Sequence, residues 1–117
     1  MGFPLTNLAK GARVPDSEKI VFKTATATLT GFERVIMCDT TAGAMTITLP
    51  PAAEHIGEQI AVYITSSDAN VVTVAATTGD ILGPITSGNH AFEDQYDYAI
   101  YMSIGLGWLQ TYIKEND

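Results

Sequence analysis

The chain has 117 residues, 46% of them hydrophobic, a single cysteine and a net charge of −7. That length suits one domain, and one cysteine excludes an internal disulfide framework. Five basic residues face three acids in the first 34 positions, while Lys114 alone faces ten acids in the remainder; so acidic a body argues against nucleic acid as a partner, because phosphate affinity needs clustered Lys and Arg.

Residues 1–19 read as an extended arm. Gly2, Pro4, Gly11 and Pro15 punctuate it and no apolar period runs through it. Phe3, Leu5, Leu8 and Val14, with the basic Lys10 and Arg13, are more than a solvated tail needs. They predict an arm that orders against another subunit or a larger surface. The start Met1-Gly2-Phe3-Pro4-Leu5-Thr6 meets a myristoylation pattern only formally, since Phe3 and Pro4 are a poor context for that modification. No apolar run reaches the length of a membrane helix and no signal-peptide core is present, so no membrane partner is expected.

Residues 20–117 form the body. A β-branched, small-residue run from Ile20 to Leu29 and a second run from Arg34 to Asp39 predict strands, with Gly31 between them. Met45, Ile47 and Leu49 alternate with Thr46 and Thr48, the period-two signature of a strand with one buried face. Pro50 and Pro51 end that strand, because neither can donate a ladder hydrogen bond. Ala52 to Ile56 leaves room for one helical turn, and Gly57 releases the chain into the alternating strand at Ile60, Val62 and Ile64. Ser66 to Asn70 has turn composition and predicts a hairpin joining that strand to Val71–Ala75. Thr77 to Gly88 reads as a loop in which Ile81, Leu82 and Ile85 plug the edge of the core. In the last long strand Tyr96, Tyr98, Ile100, Met102 and Ile104 share one face, with Asp97, Ala99, Tyr101 and Ser103 opposite. Gly105 and Gly107 turn the chain into a closing strand, Trp108 to Ile113.

The fold class is therefore all-β: a small antiparallel sandwich, jelly-roll-like domain or β-barrel of seven to eight short strands with an extended N-terminal arm. Several strands are apolar on both faces, with Tyr63 behind the Ile60 row and Tyr101 behind the Tyr98 row. One face serves the domain's own core; the other needs a second cover, which predicts an oligomer.

Catalytic groups are sparse. His55, in the Pro-Pro corner, and His90, at a loop end, lack partners at zinc-ligand spacing and read as exposed loop residues. Cys38, flanked by Val35, Ile36 and Met37, reads as a buried hydrophobe rather than a nucleophile. Glu93, Asp94 and Asp97 lack the glycine-anchored loop of a calcium site and read as charges that discourage edge-to-edge strand pairing. Neither an enzyme nor a bound metal or cofactor is expected. Tyr96, Tyr98, Tyr101, Trp108 and Tyr112 are the other candidate site: aromatic rings can stack on sugar faces, but this placement favours a core or a subunit interface.

Thr46-Ile47-Thr48-Leu49-Pro50-Pro51-Ala52-Ala53, then Gly57 and the strand Glu58 to Ile64, resembles a recurrent TITLP…GxxIxVY unit of bacteriophage virion proteins. Val72-Thr73-Val74 followed by Gly79-Asp80-Ile81-Leu82-Gly83 resembles its VTV…GDxIxG continuation, and Tyr98-Ala99-Ile100-Tyr101 with Gly107-Trp108 resembles its aromatic ending. The likeness spans Met45 to Tyr112 and leaves Met1 to Thr41 without a counterpart. Proteins with this unit are typically trimeric all-β components of tail fibres, head fibres and capsid decoration. The resemblance implies a homotrimeric capsid decoration (cement) protein on the capsid surface of the virion, with the major capsid protein as partner. The rival it implies is a receptor- or glycan-binding module of a tail or head fibre that meets a host surface glycan. Phe3, Leu5, Leu8, Lys10, Arg13 and Val14 would then contact the shell or a neighbouring subunit, and Tyr63, Tyr96, Tyr98, Tyr101 and Trp108 are the candidates for the trimer interface.

Overall fold

The computed structural model describes residues 19–68, 70–83 and 89–115. The arm residues Phe3, Leu5, Leu8, Lys10, Arg13 and Val14, and the predicted core plug Ile85, lie outside them. The described residues form ten strands: β1 (Ile20–Lys23), β2 (Ala27–Thr28), β3 (Val35–Cys38), β4 (Met45–Thr48), β5 (Gln59–Ile64), β6 (Val72–Ala75), β7 (Ile81–Gly83), β8 (His90–Phe92), β9 (Tyr98–Ser103) and β10 (Gly107–Lys114). One 3-10 turn, Ala52–Glu54, follows the two prolines. The all-β class holds. The strands beyond the expected eight are short pieces, among them β2, split from the Ile20 run, and β7, carved from the Thr77 loop.

Two open sheets face each other across one core. The larger has the order β1-β3-β5-β9-β10-β7 and the smaller β2-β4-β6-β8. Successive strands alternate between the sheets from β1 to β9, so the chain winds as a flattened coil that leaves one strand in each sheet per turn. The result is parallel pairing, β1 with β3 and β3 with β5 in one sheet, β2 with β4 and β4 with β6 in the other. A parallel pair needs a long crossover; here a strand of the opposite sheet supplies it. Antiparallel pairing enters only with β8, β9 and β10. The expected antiparallel sandwich, jelly roll or closed barrel is thus corrected to an open sandwich of two mixed sheets.

The predicted hairpin between the Ile60 strand and Val71–Ala75 is likewise corrected, since β5 and β6 lie in different sheets. The polar residues of that linker bind the preceding turn of the coil instead. The Thr40 N–H donates to Ser66 Oγ (2.8 Å), Thr40 Oγ1–H to Asp68 (2.6 Å), and the Asn70 amide to the Thr40 carbonyl (2.8 Å). Ser, Asp and Asn satisfy neighbouring backbone groups in either arrangement.

The Pro-Pro corner carries the chain from one sheet to the other, and three later segments hold it. The Trp108 indole N–H donates to the Pro50 carbonyl (2.9 Å), Ser103 Oγ–H to the Ala52 carbonyl (2.6 Å), and the Ala52 N–H to Asp80 (2.9 Å). Trp108 reaches Pro50 because β10 approaches β7 closely at Gly107, where a Cβ would collide with the Ile81 backbone. The core collects Ile36 and Cys38 of β3, Met45 and Ile47 of β4, and Ile60, Val62 and Ile64 of β5. Val72 and Val74 of β6, with Leu29, Leu49, Ala52, Phe92, Ala99, Tyr101 and Trp108, also belong to it. Leu82 joins this core, whereas Ile81 faces solvent.

Candidate functional site: an aromatic sheet face

In β9 the side chains alternate as the sequence requires, but Ala99, Tyr101 and Ser103 are buried while Tyr98, Ile100 and Met102 face outward. The Tyr/Ile/Met row is therefore not core. Strand pairing aligns it with outward residues of four neighbours. One row across the sheet runs Phe22, Met37, Tyr63, Tyr98, Lys114; the next runs Ile20, Val35, Ala61, Ile100, Tyr112. Gln59, Met102 and Leu109 form a third. No acidic side chain stands in these rows, although the chain as a whole carries −7. The outer face of the smaller sheet contrasts with it: Thr28, Thr46, Thr48, Thr73, Ala75 and Ala91 are small and mostly hydroxylated. The threonines of the Thr-Ile-Thr-Leu segment thus point to solvent.

The tyrosines form a continuous stack. Tyr63 and Tyr98 have ring centres 5.4 Å apart and planes 19° from parallel; Tyr98 and Tyr112 are 5.5 Å apart at 29°. A register shift between Gln110 and Tyr112 brings the last ring into line. Tyr96 ends the row, tilted 60° to Tyr63 at 6.5 Å. Its φ of 71° is left-handed, a conformation costly for a bulky side chain by roughly 1–3 kcal/mol. The turn holds it there: the Tyr96 N–H donates to the Ile64 carbonyl and the Asp97 N–H to the Asp94 carbonyl. Buried Asp97 accepts from the Asp94 N–H (3.1 Å). Phe22 is 73% exposed and Tyr96 57%. A hydrogen bond with Tyr112 raises the Tyr98 phenol above its ordinary pKa.

Of the predicted interface residues, Tyr63, Tyr96 and Tyr98 come together on this face. Tyr101 and Trp108 do not. Both are sealed inside the chain's own core, where an interface cannot reach them, so those two assignments are corrected. Phe22, Met37 and Tyr112 join the face; the alternation of β1 and β3 signals the orientation of the first two, the register shift in β10 sets that of Tyr112, and the pairing register supplies their neighbours.

The remaining candidates are structural. His55 is not an exposed loop residue: its Nδ1–H donates to Glu58 Oε1 (2.8 Å), an oxygen that also accepts from Arg34 (3.0 Å). Its ring stacks on Trp108 and lies under Gly31, where a Cβ would collide with it. His90 is buried too. Its Nδ1 meets Tyr101 Oη (2.7 Å) and accepts from the Gln110 amide (2.9 Å), while its Nε2–H donates to Glu115 (3.1 Å). This network ties β8 of one sheet to β9 and β10 of the other, and burial pushes the Tyr101 phenol well above its ordinary range. Glu93, Asp94 and Asp97 lie between β8, the edge strand of the smaller sheet, and β9, which is paired on both sides; Glu93 directly follows that edge and Asp97 is buried in the turn. No group of three metal-ligating side chains occurs among the described residues.

Cys38 is inaccessible, and burial pushes its thiol up to about 12. It should react with an aromatic disulfide reagent only at the rate of unfolding; rapid labelling of native protein at pH 8 would contradict this placement. Glu33 is also buried. Burial alone would push its carboxyl up, but the N–H groups of Thr30 and Gly31 (both 3.0 Å) and the Thr30 hydroxyl (3.1 Å), together with its own backbone N–H, hold it below its usual 4.5. A lowered folded pKa contributes stability above the unfolded value and loses it as pH falls through the folded one. Glu33→Gln is therefore expected to cost about 1–2 kcal/mol at pH 7 by urea denaturation. The gap to wild type should narrow below pH 4.5, and an unchanged gap at pH 3.5 would count against this reading.

No family model matches the chain, and a search of curated proteins finds no match.

Proposed function

We propose that the chain is a bacteriophage virion structural protein, a homotrimeric capsid decoration protein that binds the major capsid protein on the outer shell and stabilises it by covering surface. The observation that carries this reading is the outer face of the six-stranded sheet, an acid-free field of Phe22, Met37, Tyr63, Tyr98, Ile100 and Tyr112 on an otherwise acidic molecule. Apolar surface of this extent is favourable to bury against a second copy. The resemblance of the Met45–Tyr112 segment supplies the virion setting. In this reading the interface forms between sheet faces, the basic arm reaches the shell, and no catalysis is involved.

Deleting residues 1–18 keeps Lys19, whose carbonyl accepts from the Arg34 N–H (2.7 Å). The truncated protein should remain a trimer and lose shell binding; retained binding would count against the arm's role.

The second reading, a glycan- or receptor-binding module, draws on one observation: exposed, strained Tyr96 presents a tilted ring at the end of the row. The other three rings favour it less. Their faces are occupied by one another, at ring-centre distances of 5.4 and 5.5 Å, whereas a sugar platform needs free ring faces. Retention on host polysaccharide, abolished by Tyr96→Ala, would favour this second reading.

A further inference from the structure

Tyr96 is a large side chain in a place built for glycine. The Asp97 N–H closes a turn onto the Asp94 carbonyl (3.0 Å). The Tyr96 N–H donates to the Ile64 carbonyl (2.9 Å), and the Ile64 N–H donates to the Asp97 carbonyl (2.9 Å). Tyr96 and Asp97 therefore stand together opposite Ile64. This is a β-bulge whose first residue is left-handed, a position ordinarily given to glycine. The Gln95 amide fastens the same turn to the Thr65 carbonyl (3.0 Å). Glycine would fill this bulge without strain, whereas the Tyr96 ring is more than half exposed and lies outside the core cluster. A strained residue that its surroundings hold in place, and that adds nothing to the core, points to a site.

The ring belongs to a corner bordered by acids. Its plane meets that of Tyr63 at 60° with centres 6.5 Å apart, and Tyr63 is stacked in turn on Tyr98. Two rings so placed can both lie within about 6 Å of one cation, the range over which the electron-rich face of a phenol attracts it. Asp94 opens the turn that holds Tyr96, and exposed Glu93 precedes it. On β3 the outward series Val35, Met37 reaches Asp39 at its next step, one row beyond Tyr63. The Thr41 hydroxyl (2.6 Å) and N–H (2.9 Å) both donate to the Asp39 carboxylate and hold its carboxyl below the usual range. Of the bases, Lys114 stands on the far side of Tyr98, on β10, and Lys23 alternates with Phe22 and so leaves β1 on the other side of the sheet. Exposed phenols rimmed by acids, on a chain of −7, favour a positively charged ligand. No group of three metal-ligating side chains occurs among the described residues, so ring faces rather than carboxylate oxygens supply the contact. That suits a methylated ammonium better than a metal ion.

We propose that the Tyr96–Tyr63 corner binds an organic cation of the quaternary ammonium class, the two rings meeting the methylated nitrogen and Asp39 and Asp94 supplying the opposite charge at the rim. Such a site depends on neither the trimer nor the virion setting, since one copy supplies every group. The test titrates the full-length protein with tetramethylammonium and, separately, with tert-butanol, its uncharged near-isostere, while tyrosine ring signals are followed by NMR. Tetramethylammonium should shift the Tyr96 and Tyr63 resonances saturably, with roughly millimolar affinity. The alcohol should bind at least about tenfold more weakly, because it lacks the charge. Tyr96→Phe should keep the affinity within about twofold, and Tyr96→Ala should lose about tenfold. Tyr96→Gly gives the readout that a structural role would not: it should melt no lower than wild type and still fail to bind. Equal binding of the two probes, or a Tyr96→Gly variant that binds like wild type, would overturn the proposal. So would a saturable shift with methyl glucoside and none with the cation, which would favour sugar recognition. Cation binding by a protein that light scattering shows to be a monomer would uphold this site while ending the trimer.

Discussion

Tyr98→Asp is expected to turn a trimer into monomers while leaving the fold intact. Tyr98 stands at the centre of the aromatic face, between Tyr63 and Tyr112, and its side chain points away from the core. Within one copy, the change removes two ring contacts on a partly exposed surface, worth about 1 kcal/mol or slightly more. Across the proposed interface it would bury a carboxylate, with Lys114 of the same chain as its partner in the strand register. Central aromatic residues of interfaces commonly contribute about 2–4 kcal/mol, so the association constant should fall by roughly 30- to 1000-fold. Light scattering should report three times the 12.5 kDa chain mass for wild type and a single chain for the variant. Thr73→Asp, on the threonine-rich outer face of the smaller sheet, is the control and should remain a trimer. A Tyr98→Asp trimer of undiminished stability would move the interface elsewhere, and a wild-type monomer would remove the oligomer altogether.

Trp108→Ala should be the most destabilising single change. The indole is 1% exposed, lies beside the His55 ring and donates to the Pro50 carbonyl at 2.9 Å. Truncation leaves a large cavity and a buried carbonyl without its donor, at a cost of about 3–5 kcal/mol. A domain of this size has only about 5–15 kcal/mol in hand, so the variant should be marginal at 37 °C. Trp108→Phe keeps most of the volume and should lose about 1–2 kcal/mol, chiefly the hydrogen bond. Urea denaturation followed by circular dichroism checks both; a Trp108→Ala midpoint close to wild type would refute this account of the corner. Any loss of ligand or shell binding in Trp108→Ala would then reflect unfolding, because the indole touches only its own chain.

The two variants separate what each aromatic group does, and the sequence alone grouped them together. Tyr98 and Tyr101 are three residues apart and Trp108 follows closely, so all three read as candidates for one interface. Alternation puts Tyr98 and Tyr101 on opposite faces of β9 but does not say which face is inside. The core selected Ala99, Tyr101 and Ser103, with the Tyr101 hydroxyl satisfied by His90 from the opposite sheet. Both histidines looked like loop residues for a similar reason. The groups that shelter them are distant in sequence, Gly31 and Trp108 against the His55 ring and Tyr101, Gln110 and Glu115 around His90.

Composition and local pattern determined the β character of the chain, the corner at Pro50-Pro51, the burial of Cys38 and the surplus of apolar side chains on both faces of its strands. Those features depend on neighbours in sequence: a side-chain period of two, a ring that cannot donate, a run of small hydrophobes. Tertiary structure alone decided that the strands wind between two sheets in parallel, which face each strand buries, and that Tyr63, Tyr98 and Tyr112 form one stack. The period of two is common to parallel and antiparallel strands, and the ladder that sets the register of each parallel pair joins residues 15 to 27 positions apart.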